Sequence, residues 1–391
     1  MEKRDRYWMG LALELASRGR GRVEPNPMVG CVIVENNELI ASGHHSYFGG
    51  PHAEVNAISR CDPNRLRQST VYVTLEPCSH FGKTPPCVDL LVRHQPKRVV
   101  IAMSDPFPAV SGRGIALLRE NSIDVEVGVL ETQAKHLNAP YLKLLSEKMP
   151  WVIAKWAMTL DGALATRDGD SKWISNEMSR RVVHRIRSRV DAVLVGIGTA
   201  LADDPLLTAR LEPSEAPLRI ASRLVLDRQC RLSPDSKLVQ SVGSGPVLIA
   251  VSPSAPLDNV SKLKDAGCEI LVVPEEAENQ SLGFVLKELG NRRFTNVLLE
   301  GGSTLLGSAF DGGLIDEVHC FIAPKIVGGH NAMRPVDGVG KALMEQAAQL
   351  SNVQIECLDN DVHFHGFVDR RVDLPLQKEI GTSTEANKKS K

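Results

Sequence analysis

Aromatic residues are scarce in this chain of 391: nine Phe, four Tyr and four Trp, 4% of the total. Proteins that grip single-stranded nucleic acid stack its bases on aromatic platforms in a basic groove. With 46 Lys and Arg against 47 Asp and Glu, the net charge is −1, so bulk charge offers nothing to a polyanion. No apolar run approaches the roughly 20 residues of a membrane span. The opening Met-Glu-Lys-Arg-Asp-Arg-Tyr-Trp has no apolar signal core and is too acidic for a transit peptide. A cytoplasmic protein acting on a small molecule, without nucleic acid or membrane, is therefore expected. Disulfide logic is missing too: eight cysteines in a large chain without a secretion signal read as metal ligands or buried thiols. Cys31 lies in an apolar strand, and Cys61, Cys230, Cys268, Cys320 and Cys357 have no partner spacing.

What is present is an ordinary soluble core, 42% hydrophobic and 24% charged, in a chain long enough for two domains. Apolar periodicity predicts a helix over 5–18 and strands at 29–34 and 39–42. A helix follows from Ala53 to Ser59, then a strand at 71–75, with Cys78 opening the next helix. A strand at 98–103, a helix near 114–121 and a strand at 123–129 complete an αβα pattern, and 131–147 reads as one connecting helix. Met149-Pro150 marks the boundary, giving domains at 1–147 and 148–372 and a polar tail at 373–391, expected to be disordered. The second half alternates strands at 151–156, 192–196, 223–227, 246–251, 269–273, 295–300 and 317–323 with helices at 177–190, 258–266 and 281–290. It closes on a hairpin of 353–358 and 361–368, and is a second α/β domain.

Chemistry concentrates in His52-Ala53-Glu54, Glu76-Pro77-Cys78 and Cys87. One imidazole and two thiols form a zinc ligand set of the catalytic kind, which leaves the fourth tetrahedral position open. Glu54, two residues past the histidine at a helix start, reaches the same pocket without ligating, as the general acid/base of a zinc deaminase does. A structural zinc would need a fourth protein ligand, which His80 can supply; the three-ligand reading is preferred. The deaminase signature ends Pro-Cys-x-x-Cys, whereas eight residues separate Cys78 from Cys87 here. In the second half, Glu300-Gly301-Gly302-Ser303-Thr304-Leu305 follows a strand and opens a short helix. Glycines there let backbone amides approach a phosphate. Gly196-Ile197-Gly198-Thr199 lacks the third glycine of a dinucleotide fingerprint. His363 and His365 alternate on a late strand and read as core or rim residues.

The stretch Thr74-Leu-Glu-Pro-Cys-Ser-His-Phe-Gly-Lys-Thr-Pro-Pro-Cys87 resembles the RibD family, bifunctional deaminase/reductases of riboflavin biosynthesis, and the likeness runs from about residue 4 to 370. It implies a cytidine-deaminase-like αβα domain followed by a dihydrofolate-reductase-like α/β domain. The first would use Zn2+ to deaminate a phosphoribosylaminopyrimidine, and the second NADPH to reduce its ribosyl chain. Carried over by motif, Asn26, His45, His80 and Lys83 contact the deaminase substrate. Ala157, Trp173, Thr199 and the loop Gly302, Ser303, Thr304, Leu305, Leu306, Gly307 and Ser308 contact NADPH. Ser171, Arg187, Asp203, Leu206, Arg210 and Glu300 contact the sugar phosphate, with Arg187 and Arg210 suited to phosphate by their donor forks. A homo-oligomer is expected. One departure stands out: relatives usually read Asp-Pro-Asn-Pro where this chain has Asp105-Pro106-Phe107-Pro108. A reductase with an impaired deaminase half, or a deaminase acting on nucleic-acid bases, are the competing readings.

Overall fold

The computed structural model describes residues 2–80, 85–108, 110–212, 217–276, 281–330 and 332–369. Lys83 and the expected polar tail lie outside the described residues. In chain order, helix α1 (Glu2–Ser17) leads to strands β1 (Gly30–Glu35) and β2 (Glu38–His44). Helices α2 (Ala53–Ile58) and α3 (Pro63–Leu66), strand β3 (Thr70–Val73), helix α4 (Cys87–His94) and strand β4 (Arg98–Ile101) follow. Then come α5 (Arg113–Glu120), β5 (Asp124–Val127), α6 (Glu131–Leu137) and α7 (Ala139–Glu147).

The five strands form one sheet in the order β2-β1-β3-β4-β5, antiparallel around β1 and parallel from β3 to β5. Because side chains alternate across a strand, Cys31, Ile33, Val71 and Val73 bury against α2, α4 and α5. Val32, Val34 and Tyr72 bury against α1 on the other face. The expected αβα layering is therefore present. Two local expectations are corrected. The connecting helix 131–147 is broken into α6 and α7 at Asn138, whose buried amide bonds Met28 N–H and C=O at 2.8 and 3.0 Å, with Pro140 restarting the helix. Cys78 does not open a helix; it lies in the loop after β3, and Cys87 is the first residue of α4. Pro86 is the reason: it caps α4, and proline belongs at the first positions of a helix rather than inside one.

The second half continues with β6 (Trp151–Thr159), α8 (Glu177–Arg187), β7 (Ala192–Gly196), α9 (Ile197–Asp203), β8 (Ser222–Leu226) and α10 (Lys237–Gln240). Next are β9 (Val247–Val251), α11 (Leu257–Asp265), β10 (Glu269–Val272), α12 (Ser281–Asn291), β11 (Asn296–Glu300), α13 (Ser303–Asp311), β12 (Glu317–Ala323), β13 (Leu350–Leu358) and β14 (Asp361–Val368). They form a sheet in the order β10-β9-β8-β7-β11-β6-β12-β14-β13, parallel except for the closing hairpin. One face packs on α12 and α13 through Val285, Leu286 and Leu306; the other packs on α8, α9 and α11 through Ile186, Ala200 and Leu263.

The two halves meet at a seam of buried charge. Lys143 on α7 places Nζ 2.5 Å from Asp316 Oδ2, and both side chains are buried. Arg219 donates to the Gly21 and Glu24 carbonyls at 3.3 Å and pairs with Asp191. Among the described residues, no helix is long and apolar enough to cross a membrane.

Candidate functional sites

The first site is assembled from two helix starts and the loop between them. His52 is the N-cap residue of α2, in extended backbone, and its ring makes no capping bond, so the imidazole is free to turn inward. Its Nδ1 lies 3.2 Å from Cys87 Sγ and 3.5 Å from Cys78 Sγ, and the Cys87 backbone N–H donates to Cys78 Sγ at 3.3 Å. One ring nitrogen and two sulfurs thus lie within 4.8 Å of one another, a donor set that fits zinc. His80 is outside this group; it is exposed, with its ring 5.7 Å from that of Phe107. The fourth protein ligand of a structural zinc is therefore not supplied by His80.

Glu54 stands in the first turn of α2, 3% exposed. Burial and the nearby Cys78 sulfur push its carboxyl up to about 7. The Cys87 thiol, donating to Cys78, pulls Cys78 well down, and the same contact together with burial pushes Cys87 up. His45 is also buried; Nδ1 lies 3.0 Å from the Pro51 carbonyl, its ring stands edge-on to His52, and Nε2 has no protein partner among the described residues.

Sequence reasoning named Glu76 as part of Glu76-Pro77-Cys78 but missed its role. Its buried carboxylate accepts four backbone N–H groups, from Asp105, Gly112, Gly114 and Ile115, at 2.9–3.3 Å. It thereby ties the start of α5 and the Phe107 turn to the Cys78 loop. A carboxylate suits a helix N-terminus, and Glu next to Pro77-Cys78 was the available signal. Gly43 is the other quiet determinant. A Cβ there would sit 2.6 Å from Ala57 N and 2.7 Å from Ala53 O, so only glycine lets β2 touch α2. Gly43→Ala is expected to destabilise the fold by about 1–3 kcal/mol. Because α2 carries Glu54, deamination should fall while reduction survives, as denaturation and separate assays of the two steps would read.

The second site gathers at the carboxyl ends of β6, β7 and β11. Glu300, last in β11, is buried and accepts from Arg187 Nε at 2.5 Å and from an Arg187 terminal nitrogen at 2.7 Å. Arg187 also donates to the Thr208 carbonyl at 3.2 Å, so its fork is filled by protein. Lys155, in the apolar run of β6, places Nζ 3.8 Å from Glu300. Burial lowers its pKa against the pull of Glu300. Lys172 reaches Asp203 at 3.9 Å. The Arg210 backbone N–H donates to His184 Nδ1 at 3.2 Å, and burial with Arg187 nearby pushes His184 down to about 4. Arg180 lies over the exposed Trp173 ring, 4.6 Å from its centre. Thr199 packs against Gly301 and Gly302, both at positive φ, where an added Cβ would meet its side chain at 2.9–3.1 Å.

The stretch 302–308 is not a loop: from Ser303 it is helix α13, with Leu305, Leu306 and Gly307 buried in the core. Gly302, the N-cap of that helix, is the residue of this stretch that meets Thr199. Ala157, in β6, and Asp203, last in α9, are half-buried, as are Ser171 and Leu206, and Arg210 is exposed.

Two family models match: the cytidine and deoxycytidylate deaminase zinc-binding region over residues 2–103, and the RibD C-terminal domain over residues 150–364. The riboflavin biosynthesis protein RibD of Actinobacillus pleuropneumoniae is 41% identical, covering 92% of this chain and 94% of its own. That of Escherichia coli is 37% identical over 92% of this chain and 98% of its own. Among solved structures, Acinetobacter baumannii RibD superposes with a TM-score of 0.83 at 36% identity, over 95% of this chain and all of that one. The Thermotoga maritima diaminohydroxyphosphoribosylaminopyrimidine deaminase/5-amino-6-(5-phosphoribosylamino)uracil reductase gives 0.80 at 35% identity, over 94% of this chain and 99% of its own. With a zinc-deaminase site in one half, a strand-end site in the other and relatives matching along both, the chain belongs to the RibD family of bifunctional riboflavin-biosynthesis enzymes, zinc deaminase and NADPH-dependent reductase in one polypeptide.

Proposed function

We propose that residues 1–147 deaminate 2,5-diamino-6-(5-phosphoribosylamino)pyrimidin-4(3H)-one and that residues 148–372 reduce the product's ribosyl chain, giving 5-amino-6-(5-phosphoribitylamino)uracil. The observation that carries the first step is a buried, non-ligating Glu54 in the same turn as His52, beside Cys78 and Cys87. Zinc held by His52, Cys78 and Cys87 supplies an activated water at neutral pH. Glu54 would take one proton from the attacking water and give it to the ring nitrogen, then carry the second, from the added hydroxyl, to the amine, which leaves as ammonia while the carbonyl forms. Asn26, His45 and His80 orient the pyrimidine; the unpartnered Nε2 of His45 supports this. Lys83 takes the phosphate.

In the second half NADPH supplies the hydride. Ala157, Trp173, Thr199 and the 302–308 segment would hold it, the first-turn amides of α13 being suited to a phosphate. Ser171, Asp203, Leu206, Arg210 and Glu300 hold the sugar phosphate, with Arg210 on the phosphate and Glu300 on ribose hydroxyls. Arg187 acts by fixing Glu300, and Lys155 is a further cation for the reacting chain. We propose further that the enzyme is a cytoplasmic homo-oligomer without nucleic-acid partners. The exposed Val353 and Ile355 on the edge strand β13 support the oligomer, and the near-neutral charge supports the lack of nucleic-acid partners. Ammonia release and NADPH oxidation, assayed separately on the pyrimidine substrate, test the assignment; loss of either activity in intact protein would narrow it to the other.

Phe107 does not impair the first half in this reading. Its backbone N–H is held by Asp105 at 2.9 Å, and its ring faces His80, so it forms a wall where relatives place a polar contact. A neutral hydrogen bond contributes about 0.5–1.5 kcal/mol net, so Phe107→Asn should change deaminase kcat/KM by at most about tenfold. A gain of about a hundredfold in ammonia release would instead mean that Phe107 cripples the site.

A further inference from the structure

Outside both sites, β12 and β14 bring a second donor cluster together. Glu317 and His319 are two residues apart on β12 and so share one face of the sheet. His365 on β14 is the direct cross-strand partner of His319. Glu317 Oε1 lies 2.9 Å from His319 Nε2 and 2.9 Å from His365 Nε2. The two rings are 17° from parallel with centres 4.4 Å apart. All three donor atoms fall within 4.8 Å of one another. Neither activity of the chain uses them, and the alternation of His363 and His365 in sequence suggests only core or rim positions.

We infer that Glu317, His319 and His365 form a second binding site for a divalent transition metal, with Zn2+ the ion it takes. Two imidazoles and one carboxylate match zinc's preferences. With ligand bonds of about 2.1 Å, neighbouring donors lie about 3.0–3.4 Å apart, so the two 2.9 Å Glu317 contacts need to open by only a few tenths of an ångström. The surrounding hydrogen bonds are those that hold metal ligands in place. Glu317 Oε2 accepts from Trp151 Nε1 at 2.8 Å, which leaves Oε1 for the ion. His319 Nδ1 lies 2.9 Å from His363 Nε2, and His363 Nδ1 lies 3.9 Å from Glu356. When Nε2 of His319 binds metal, its proton resides on Nδ1, 2.9 Å from His363 Nε2, which can accept it. A cavity of about 660 Å3 borders the cluster and leaves room for the remaining ligands. Arg185 and Arg189 line it too, so an anion is the expected co-ligand. The ion would join β12 and β14, with β6 tied in through the Trp151 hydrogen bond to Glu317, beside the Lys143–Asp316 seam.

The test is a metal count on the full-length protein, stripped with chelator, reloaded with Zn2+ and dialysed. Wild type should retain one ion more than the His319→Gln/His365→Gln variant, whose deamination should persist. The Cys78→Ser/Cys87→Ser variant should still retain one ion, and its melting temperature should rise with Zn2+ concentration. If the histidine variant does not fold, the cysteine variant decides alone. A wild-type count matched by the folded histidine variant, or a cysteine variant that retains no ion and does not respond to Zn2+, overturns the proposal.

Discussion

Glu54→Gln is expected to keep its zinc, keep its fold and lose deamination by about 10³-fold or more. A positioned general acid/base contributes about 10²–10⁴-fold, and here one carboxylate serves both the attack and the departure of ammonia. A thousandfold is about 4 kcal/mol of barrier. Gln has the same shape and retains a hydrogen-bonding oxygen, so the pocket should not collapse, yet it cannot accept and return a proton. Burial costs the charged form of Glu54, so the neutral amide should if anything stabilise the domain. Metal analysis, ammonia release and NADPH oxidation on already deaminated substrate are the three measurements. Zinc content and reduction should be unchanged. Substantial deamination by the zinc-replete variant would remove Glu54 from the chemistry and leave the ligand set as the sole source of rate.

That result would depend on residues far outside the pocket. The α2 turn carrying His52 and Glu54 sits where it does because Gly43 lets β2 approach within contact of its backbone. The Cys78 loop is held through Glu76, which gathers four amides from the segment between β4 and α5. Phe107 belongs to that same segment, so its position is set by Glu76 and Asp105 rather than by any contact with the ligands.

The division of the fold into two α/β halves was legible in the sequence, because apolar alternation and helical periodicity report burial directly. That His52, Cys78 and Cys87 lie together, with Glu54 in the turn after His52, was legible for a similar reason: their spacing leaves only short segments between helix starts and loop. Other features depend on contacts that local pattern does not encode. Asn138 breaks a periodic helix because its amide is bonded to Met28, 110 residues away. Cys87, not Cys78, opens a helix because Pro86 decides where the helix can begin. Lys155 carries a faint signal, a lysine within an apolar strand, but its meaning comes from Glu300 on a neighbouring strand. His319 and His365 lie far apart in sequence and meet only through strand pairing.

Arg187→Ala should be the most damaging single change in the second half, and its effect should depend on pH. In the folded chain burial pushes the Glu300 carboxyl up, but Arg187 outweighs it and holds the group down to about 2. An unfolded glutamate titrates near about 4.3, so the depressed value contributes about 3 kcal/mol of stability. The sign follows from the direction of the shift. The contribution is fully present above the unfolded value and is lost as pH falls through about 2. Without Arg187, the cation left within salt-bridge distance of Glu300 among the described residues is Lys155 at 3.8 Å, and burial then dominates. The group becomes one whose charged form is disfavoured, so the variant should be weakest at neutral pH. Breaking a buried pair from one side costs about 3–5 kcal/mol. Urea denaturation should show that deficit near neutrality and a smaller one at about pH 4, where protonation relieves the unpaired carboxylate. Arg187→Lys should recover part of it, since it restores charge without the two-pronged geometry. For reduction, the expected loss is about ten- to hundredfold in substrate kcat/KM, with NADPH affinity nearly unchanged, because Arg187 reaches Glu300 and Thr208 rather than the glycine turn. A deficit independent of pH, or an equal loss of NADPH binding, would show that Arg187 does not act through Glu300.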